Sequence, residues 1–243
     1  MNPARLTDIW VYLSASPLLH LSLTITAYLF SDWLYQKSGN RSLLHPVLVA
    51  VVLIVLILGV TGTGYPTYFE GAQFVHFFLG PATVALAVPL YRNFGQLKKL
   101  WLPLSLGLVA GSVTAALSAV LFAWLLGASP QTLLALAPKS VTAPVAMGIT
   151  EKLGGPASLT AILVVSTGIL GAVVGPTVLN WCRVDEPAVR GFAIGTTSHG
   201  IGTARAFQEN EMAGAFSGLA MGLNALVSSI LIPPMLKLVG IVN

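Results

Sequence analysis

The sequence predicts an all-α polytopic membrane fold, with about seven or eight transmembrane segments of ~20 residues, broken or re-entrant helices and an inverted repeat. Three observations predict it. Hydrophobic residues make up 55% of the 243 residues and charged residues only 8%, whereas soluble domains carry about 25% charged residues. Long apolar runs recur from end to end, and in hydrocarbon only a helix satisfies such a segment's own backbone. Proline, glycine and polar residues gather in three internal segments instead of spreading through loops. Residues 1–243 therefore read as a single integral membrane domain, with no soluble catalytic domain. The net charge of +4 comes from basic residues in short loops, where they orient spans, so nucleic-acid binding is excluded.

The N-terminal run Ile9 to Leu13, followed by Ser14-Ala15-Ser16, is too short for a secretory signal, and no Arg/Ser-rich transit peptide is visible. The expected location is a bacterial cytoplasmic (inner) membrane, crossed many times. Apolar runs predict spans near 15–36, 44–61, 69–91, 101–126, 157–181, 187–208 and 213–239, with a doubtful one at 131–151. Trp10, Trp33, Trp101, Trp124 and Trp181 all fall near the predicted ends, where amphipathic rings prefer the headgroup layer.

The basic residues test the doubtful segment. If 131–155 dips in and returns, Lys37, Arg41, Arg92, Lys98, Lys99, Arg183, Arg190 and Lys237 share one side, with Arg5 and Lys152 opposite. A full crossing divides them six against four. The positive-inside rule favours the re-entrant reading, with the N-terminus outside and the C-terminus inside. Interrupted spans 69–91 and 187–208 then run in opposite directions, which makes 44–126 and 157–239 an inverted pair. Inverted repeats with broken helices are a signature of secondary transporters that bind near the midplane.

The first polar segment, 78–89, contains Pro81, Thr83 and Pro89. Its prolines free backbone carbonyls and predict a break or, equally, a packed kink. The second, 137–144, sets Pro138 ahead of Lys139, Ser140 and Thr142. Proline followed by hydroxyls opens a short helix whose free N–H groups, with the Lys139 ammonium, suit an anion. The alternative is a lysine that snorkels to the headgroups.

The third, Gly195-Thr-Thr-Ser-His-Gly-Ile-Gly-Thr-Ala-Arg205, puts charge and glycine breaks at membrane depth. An arginine there costs ~2.5–3.5 kcal/mol, which calls for partners or a wet cavity. Unwinding at Gly200 and Gly202 would let amides and the Arg205 guanidinium converge on a carboxylate, with Thr197, Ser198 and Thr203 supplying hydroxyls. Alternatively, Arg205 lies near the span's end and pairs with Glu209 or Glu211.

His199 is a candidate proton carrier or a hydrogen-bonded helix contact. His20, His45 and His76 have no metal-ligand spacing, and the single cysteine, Cys182, reads as an interfacial thiol. Ser198 and His199 are adjacent, so in a helix they do not face each other as nucleophile and base. No cofactor motif is present and no catalysis is expected. Gly214, Gly218 and Gly222 form a small-residue strip that suits close helix packing or a homo-oligomer interface, and Asn224 beyond it is placed to bond a neighbouring helix.

Four strings, 78–89, 138–142, 195–205 and 214–221, together resemble the LrgB/CidB family across essentially the whole chain. That family includes antiholin-like autolysis regulators and the membrane domain of the plastidal glycolate/glycerate translocator. The resemblance implies transport of small carboxylates such as glycolate, glycerate or pyruvate. It also implies a smaller LrgA/CidA-type membrane partner. The leading expectation is a secondary transporter of small monocarboxylates coupled to H+ or Na+. Its substrate residues are Lys139, Ser140, Thr142, Ser198, His199, Thr203, Arg205 and Thr83, and its helix breaks lie at Pro81, Pro138, Gly200 and Gly202. The alternative is a holin- or antiholin-like pore component that regulates murein hydrolase export.

Overall fold

A computed structural model describes residues 16–39, 44–78, 81, 84–85, 87–92 and 94–241, and no strand occurs among them. The chain forms two compact units, Met1–Ala85 and Leu86–Asn243. In the first, α1 (Pro17–Lys37), α2 (Pro46–Thr61) and α3 (Tyr65–Phe77) follow one another. Proline opens α1 and α2 at the position where its missing N–H costs nothing. A left-handed Gly62 (φ 66°) ends α2. Gly71 lets α3 close on α1, since a Cβ there would run into the Pro17 carbonyl and His20. Trp33 is exposed near the end of α1, with Lys37 Nζ 4.7 Å over its ring.

The second unit holds α4 (Ala87–Arg92), α5 (Phe94–Leu125), α6 (Pro130–Leu136), α7 (Ala143–Lys152), α8 (Ala157–Trp181), α9 (Pro187–Glu209) and α10 (Glu211–Leu238). Among the described residues, Lys98–Leu125, Ala157–Trp181 and Glu211–Leu238 are long and apolar enough to cross a membrane. Large side chains such as Leu106, Phe122, Ile162, Leu226 and Ile230 face outward on them, as expected where the solvent is lipid. The chain is a membrane protein.

Helices α5 and α10 run in the same direction. Leu104 and Leu108 pack with Phe216 and Ala220, and Val120 packs with Ile232 and Leu236 further along. Helix α8 runs opposite, with Val164 in the cluster around Leu236 and Leu179 against Ala206 and Ala213.

Between these helices the chain twice doubles back. Helices α6 and α7, of seven and ten residues, rise only ~10 and ~15 Å. A Cβ on Gly155, beyond α7, would lie 3.0 Å from Leu134 Cβ within α6, so the two arms lie side by side. This return is what the charge count favours for 131–155.

Helix α9 departs from the expected broken span. His199 takes φ 42° and ψ −135°, and the halves 187–198 and 200–209 fold onto each other. Arg190 Nη2 lies 3.4 Å from Glu209 Oε2, nineteen residues on, a separation that a straight helix would stretch to ~28 Å. A Cβ on Gly202 would lie 2.8 Å from Ile194 Cγ2. The segment 187–209 is thus a hairpin that returns to the end from which it starts, and its break is the single residue His199. Gly200 and Gly202, expected to unwind, stand inside the returning helix.

The hairpin packs on α10 through Gly191 and Gly195, where a Cβ would strike the backbones of Ala213 and Ser217. Asn210 turns the chain into α10, its side chain accepting from Met212 N (2.8 Å) and Ala213 N (3.4 Å). The strip expected at Gly214, Gly218 and Gly222 is a contact only in part. Gly214 meets Phe207, whereas nothing lies within 4 Å of a Cβ on Gly222.

The return of α9 also moves the chain's end. Gly240 and Ile241 line a groove with Trp124 and Pro130, at the end of the bundle opposite Arg190. Lys237 therefore parts from Arg183 and Arg190, against the expected distribution. Trp101, Trp124 and Trp181 are exposed near the ends of α5 and α8. Trp10 and Thr83 lie outside the described residues, while Pro81 is helical and exposed.

Candidate functional site

The tips of the two hairpins come together at the middle of α10. The first tip is the turn 137–142, where Val141 N donates to Pro138 O (2.9 Å). Helix α7 begins after it, at Ala143, so Pro138 lies within the turn instead of opening the helix as expected. The second tip is Ser198-His199. Asn224, 1% exposed, joins them, its Nδ2 donating to Ser140 O at 3.1 Å and to Thr196 O at 3.0 Å. Both partners are carbonyls, which only accept, so the amide orientation is fixed. Its Oδ1 accepts from Ser112 Oγ (2.5 Å) and Ser228 Oγ (3.0 Å). All four hydrogen-bonding positions of this buried amide are filled, as burial demands.

Beside the tips lies a cavity of about 830 Å³, within the ~300–1,000 Å³ range of small-molecule sites. Lys139 and Ser140 line it from the first tip, Thr197 and Ser198 from the second, and Ser166 and Thr167 from α8. Leu163, Leu170, Val174 and Val178 supply apolar wall. Lys139 Nζ donates to Ser140 Oγ at 3.2 Å. Among the described residues no carboxylate stands within ion-pair distance of it. One ammonium, several hydroxyls and no acid make a lining suited to a small anion carrying further polar groups. Gly171 makes room for it, because a Cβ there would collide with Ser198 Oγ.

Among the described residues, the other expected site residues stand outside this lining. His199 is buried, its Nε2 2.9 Å from Val164 O, and Gly168 leaves space for the ring, as a Cβ there would lie 2.5 Å from His199 Cε1. Thr203 Oγ1 donates to His199 O (2.8 Å) and lies 2.9 Å from Ser217 Oγ. The first bond lies within α9 and the second reaches α10, so Thr203 links the break to that helix. Thr142 precedes α7 without capping it through its side chain.

Arg205 is at the hairpin's base, its Nη2 3.3 Å from Glu209 Oε1, and Glu209 also pairs with Arg190. The alternative pairing weighed for Arg205 is the one present. Glu211 pairs instead with Arg92, at 3.4 Å. Arg190 Nη1 further donates to Asn180 Oδ1 and Val184 O, so the base is a small, partly buried ion network. Sequence reasoning missed Ser166 and Thr167. The available signal was a hydroxyl pair inside an otherwise apolar run, followed closely by Gly168 and Gly171.

The sequence profile described as the LrgB-like family matches residues 24–238. A Bacillus subtilis (strain 168) protein called uncharacterized protein YwbG is 36% identical over 87% of this chain and 93% of its own. Holin-like protein CidB of Staphylococcus epidermidis (strain ATCC 35984) is 33% identical over 93% of this chain and 98% of its own. Holin-like protein CidB of Staphylococcus aureus (strain Mu50) is 32% identical over 91% and 96%. No solved structure matches. With the family profile covering both hairpins, the cavity and the three long helices, the chain belongs to the LrgB-like family.

Proposed function

We propose that this chain is a holin-like component of a bacterial cytoplasmic membrane, acting in the control of murein hydrolase export and autolysis. The observation that supports it is similarity over more than nine tenths of the chain to relatives named holin-like protein. It works beside a smaller LrgA/CidA-type membrane protein. The two hairpins enter the membrane from opposite faces and do not cross it. By the positive-inside rule, the end bearing Arg92, Lys98, Lys99, Arg183 and Arg190 is cytoplasmic, and Lys152, Lys237 and the C-terminus are external. That orientation reverses the expectation for the C-terminus.

The expected first reading, secondary transport of small monocarboxylates coupled to H+ or Na+, takes second place because the relatives' names do not speak for it. The cavity favours it. In that reading Lys139 balances the carboxylate, Ser140, Thr197 and Ser198 contact it, and Arg205, Thr203 and His199 hold the hairpin from behind. One experiment separates the two readings. Purified protein in proteoliposomes is tested for conductance and for uptake of labelled glycolate, glycerate or pyruvate. Conductance that rises without saturation supports the holin-like reading. Saturable uptake with counterflow, at least tenfold weaker in Lys139→Gln and without conductance, overturns it in favour of the carrier.

A further inference from the structure

We propose that Asn224 is a tie that holds both hairpin tips together at the cavity they line, so that each hairpin is a gate on its own side. The break at His199 interrupts the helix just beyond Thr196. In an unbroken helix the Thr196 carbonyl would accept from the residue four positions on, so the break frees it for another donor. Asn224 supplies that donor (3.0 Å), and its second N–H goes to the Ser140 carbonyl in the opposite tip (3.1 Å). The residues next to those carbonyls line the cavity: Lys139 and Ser140 on one side, Thr197 and Ser198 on the other.

Asn224 stands midway along α10 (Glu211–Leu238), on a helix that belongs to neither hairpin. Either tip can withdraw by giving up one bond while the other bond holds. The amide is itself held by the hydroxyls of Ser112 on α5 and Ser228 on α10. It is therefore a fixed post, not a mobile side chain that would follow a departing tip. A buried hydrogen bond is worth about a two- to tenfold shift in an equilibrium. Removing the one bond at each tip should thus raise that tip's open population by up to about tenfold.

The test follows exposure of the tips and requires no flux, so it stands apart from both readings of function. In full-length protein carrying Cys182→Ser, a single cysteine is introduced as Ser140→Cys or Ser198→Cys, both at buried positions. The rate of modification by a membrane-impermeant charged thiol reagent is then measured from each face of proteoliposomes. With Asn224 intact, both cysteines should react slowly, and Asn224→Ala should accelerate both about tenfold. Ser217→Cys, fully buried where α9 meets α10, should keep its rate. Equal acceleration at Ser217→Cys would mean general loosening and overturn the proposal, as would unchanged rates at both tips. Should Asn224→Ala not fold, Ser228→Ala removes one of the bonds that orient the amide. It should accelerate the tips about threefold, and no change there overturns the proposal equally.

Discussion

Adding one methyl group to either of two glycines should have opposite effects, and the structure sets both signs. A Cβ on Gly195 would fall on the backbone of Ser217 in α10, with main chain on both sides and no side chain able to swing away. Overpacking of this kind costs ~1–3 kcal/mol, and alanine's better helix propensity returns at most ~1 kcal/mol. Gly195→Ala, with a backbone clash that puts it at the upper end of this cost, should therefore destabilise by about 2 kcal/mol net. Gly222 is mid-helix with nothing within 4 Å of its Cβ position, so Gly222→Ala should stabilise by up to ~1 kcal/mol. At ~2–4 °C per kcal/mol for a chain of this size, Gly195→Ala should melt several degrees lower and Gly222→Ala a few degrees higher. Tryptophan fluorescence of the detergent-solubilised protein reads both. If Gly222→Ala melts lower, another surface covers that face and the packing argument fails. If Gly195→Ala melts higher, the close approach of α9 to α10 is wrong.

Two other substitutions bear on the α9 hairpin. Glu209→Gln leaves Arg190 and Arg205 facing each other across a site where the side chains are 13–19% exposed. It should cost about 2–3 kcal/mol, since removing one partner of a largely buried pair leaves its charge uncompensated; a melting temperature within a degree of wild type would remove the network from the hairpin's support. At His199, where φ is 42°, glycine suits the backbone better than alanine does. His199→Gly should therefore melt above His199→Ala, reversing the ordinary helical order of the two residues. The ordinary order would show that the break relaxes once the histidine is gone.

The membrane class, the long apolar helices and the doubled-back 131–155 segment follow from patterns along the chain, whereas the break in α9 falls at His199 and not at the glycines expected to unwind. Apolar run length and the positions of proline and basic residues are local quantities. The second hairpin was hidden because 187–208 has the length of a span, and run length carries no information about direction. Its reversal depends on contacts between residues distant in sequence: Arg190 with Glu209, and Ile194 with Gly202. The close-packing glycines are Gly191 and Gly195 at four-residue spacing, a pattern that the strip in α10 shares without the same close approach at Gly222.

In the candidate site, Lys139, Ser140 and Ser198 were legible because polarity at membrane depth is conspicuous. Arg205 was conspicuous for the same reason and was assigned to the substrate. The decisive fact about it is a carboxylate one turn further along, which sequence offered only as an alternative. Ser166 and Thr167 were missed because a hydroxyl in an apolar helix can satisfy itself on its own backbone and need not signal a cavity.

The hairpin at 187–209 finally fixes a parity. A segment that returns to its starting face adds nothing to the number of crossings, so α5, α8 and α10 give an odd total between residue 94 and the C-terminus. A reporter inserted in the 182–186 loop and one fused after Asn243 should report opposite compartments. Had 187–208 crossed the membrane, the same two reporters would agree.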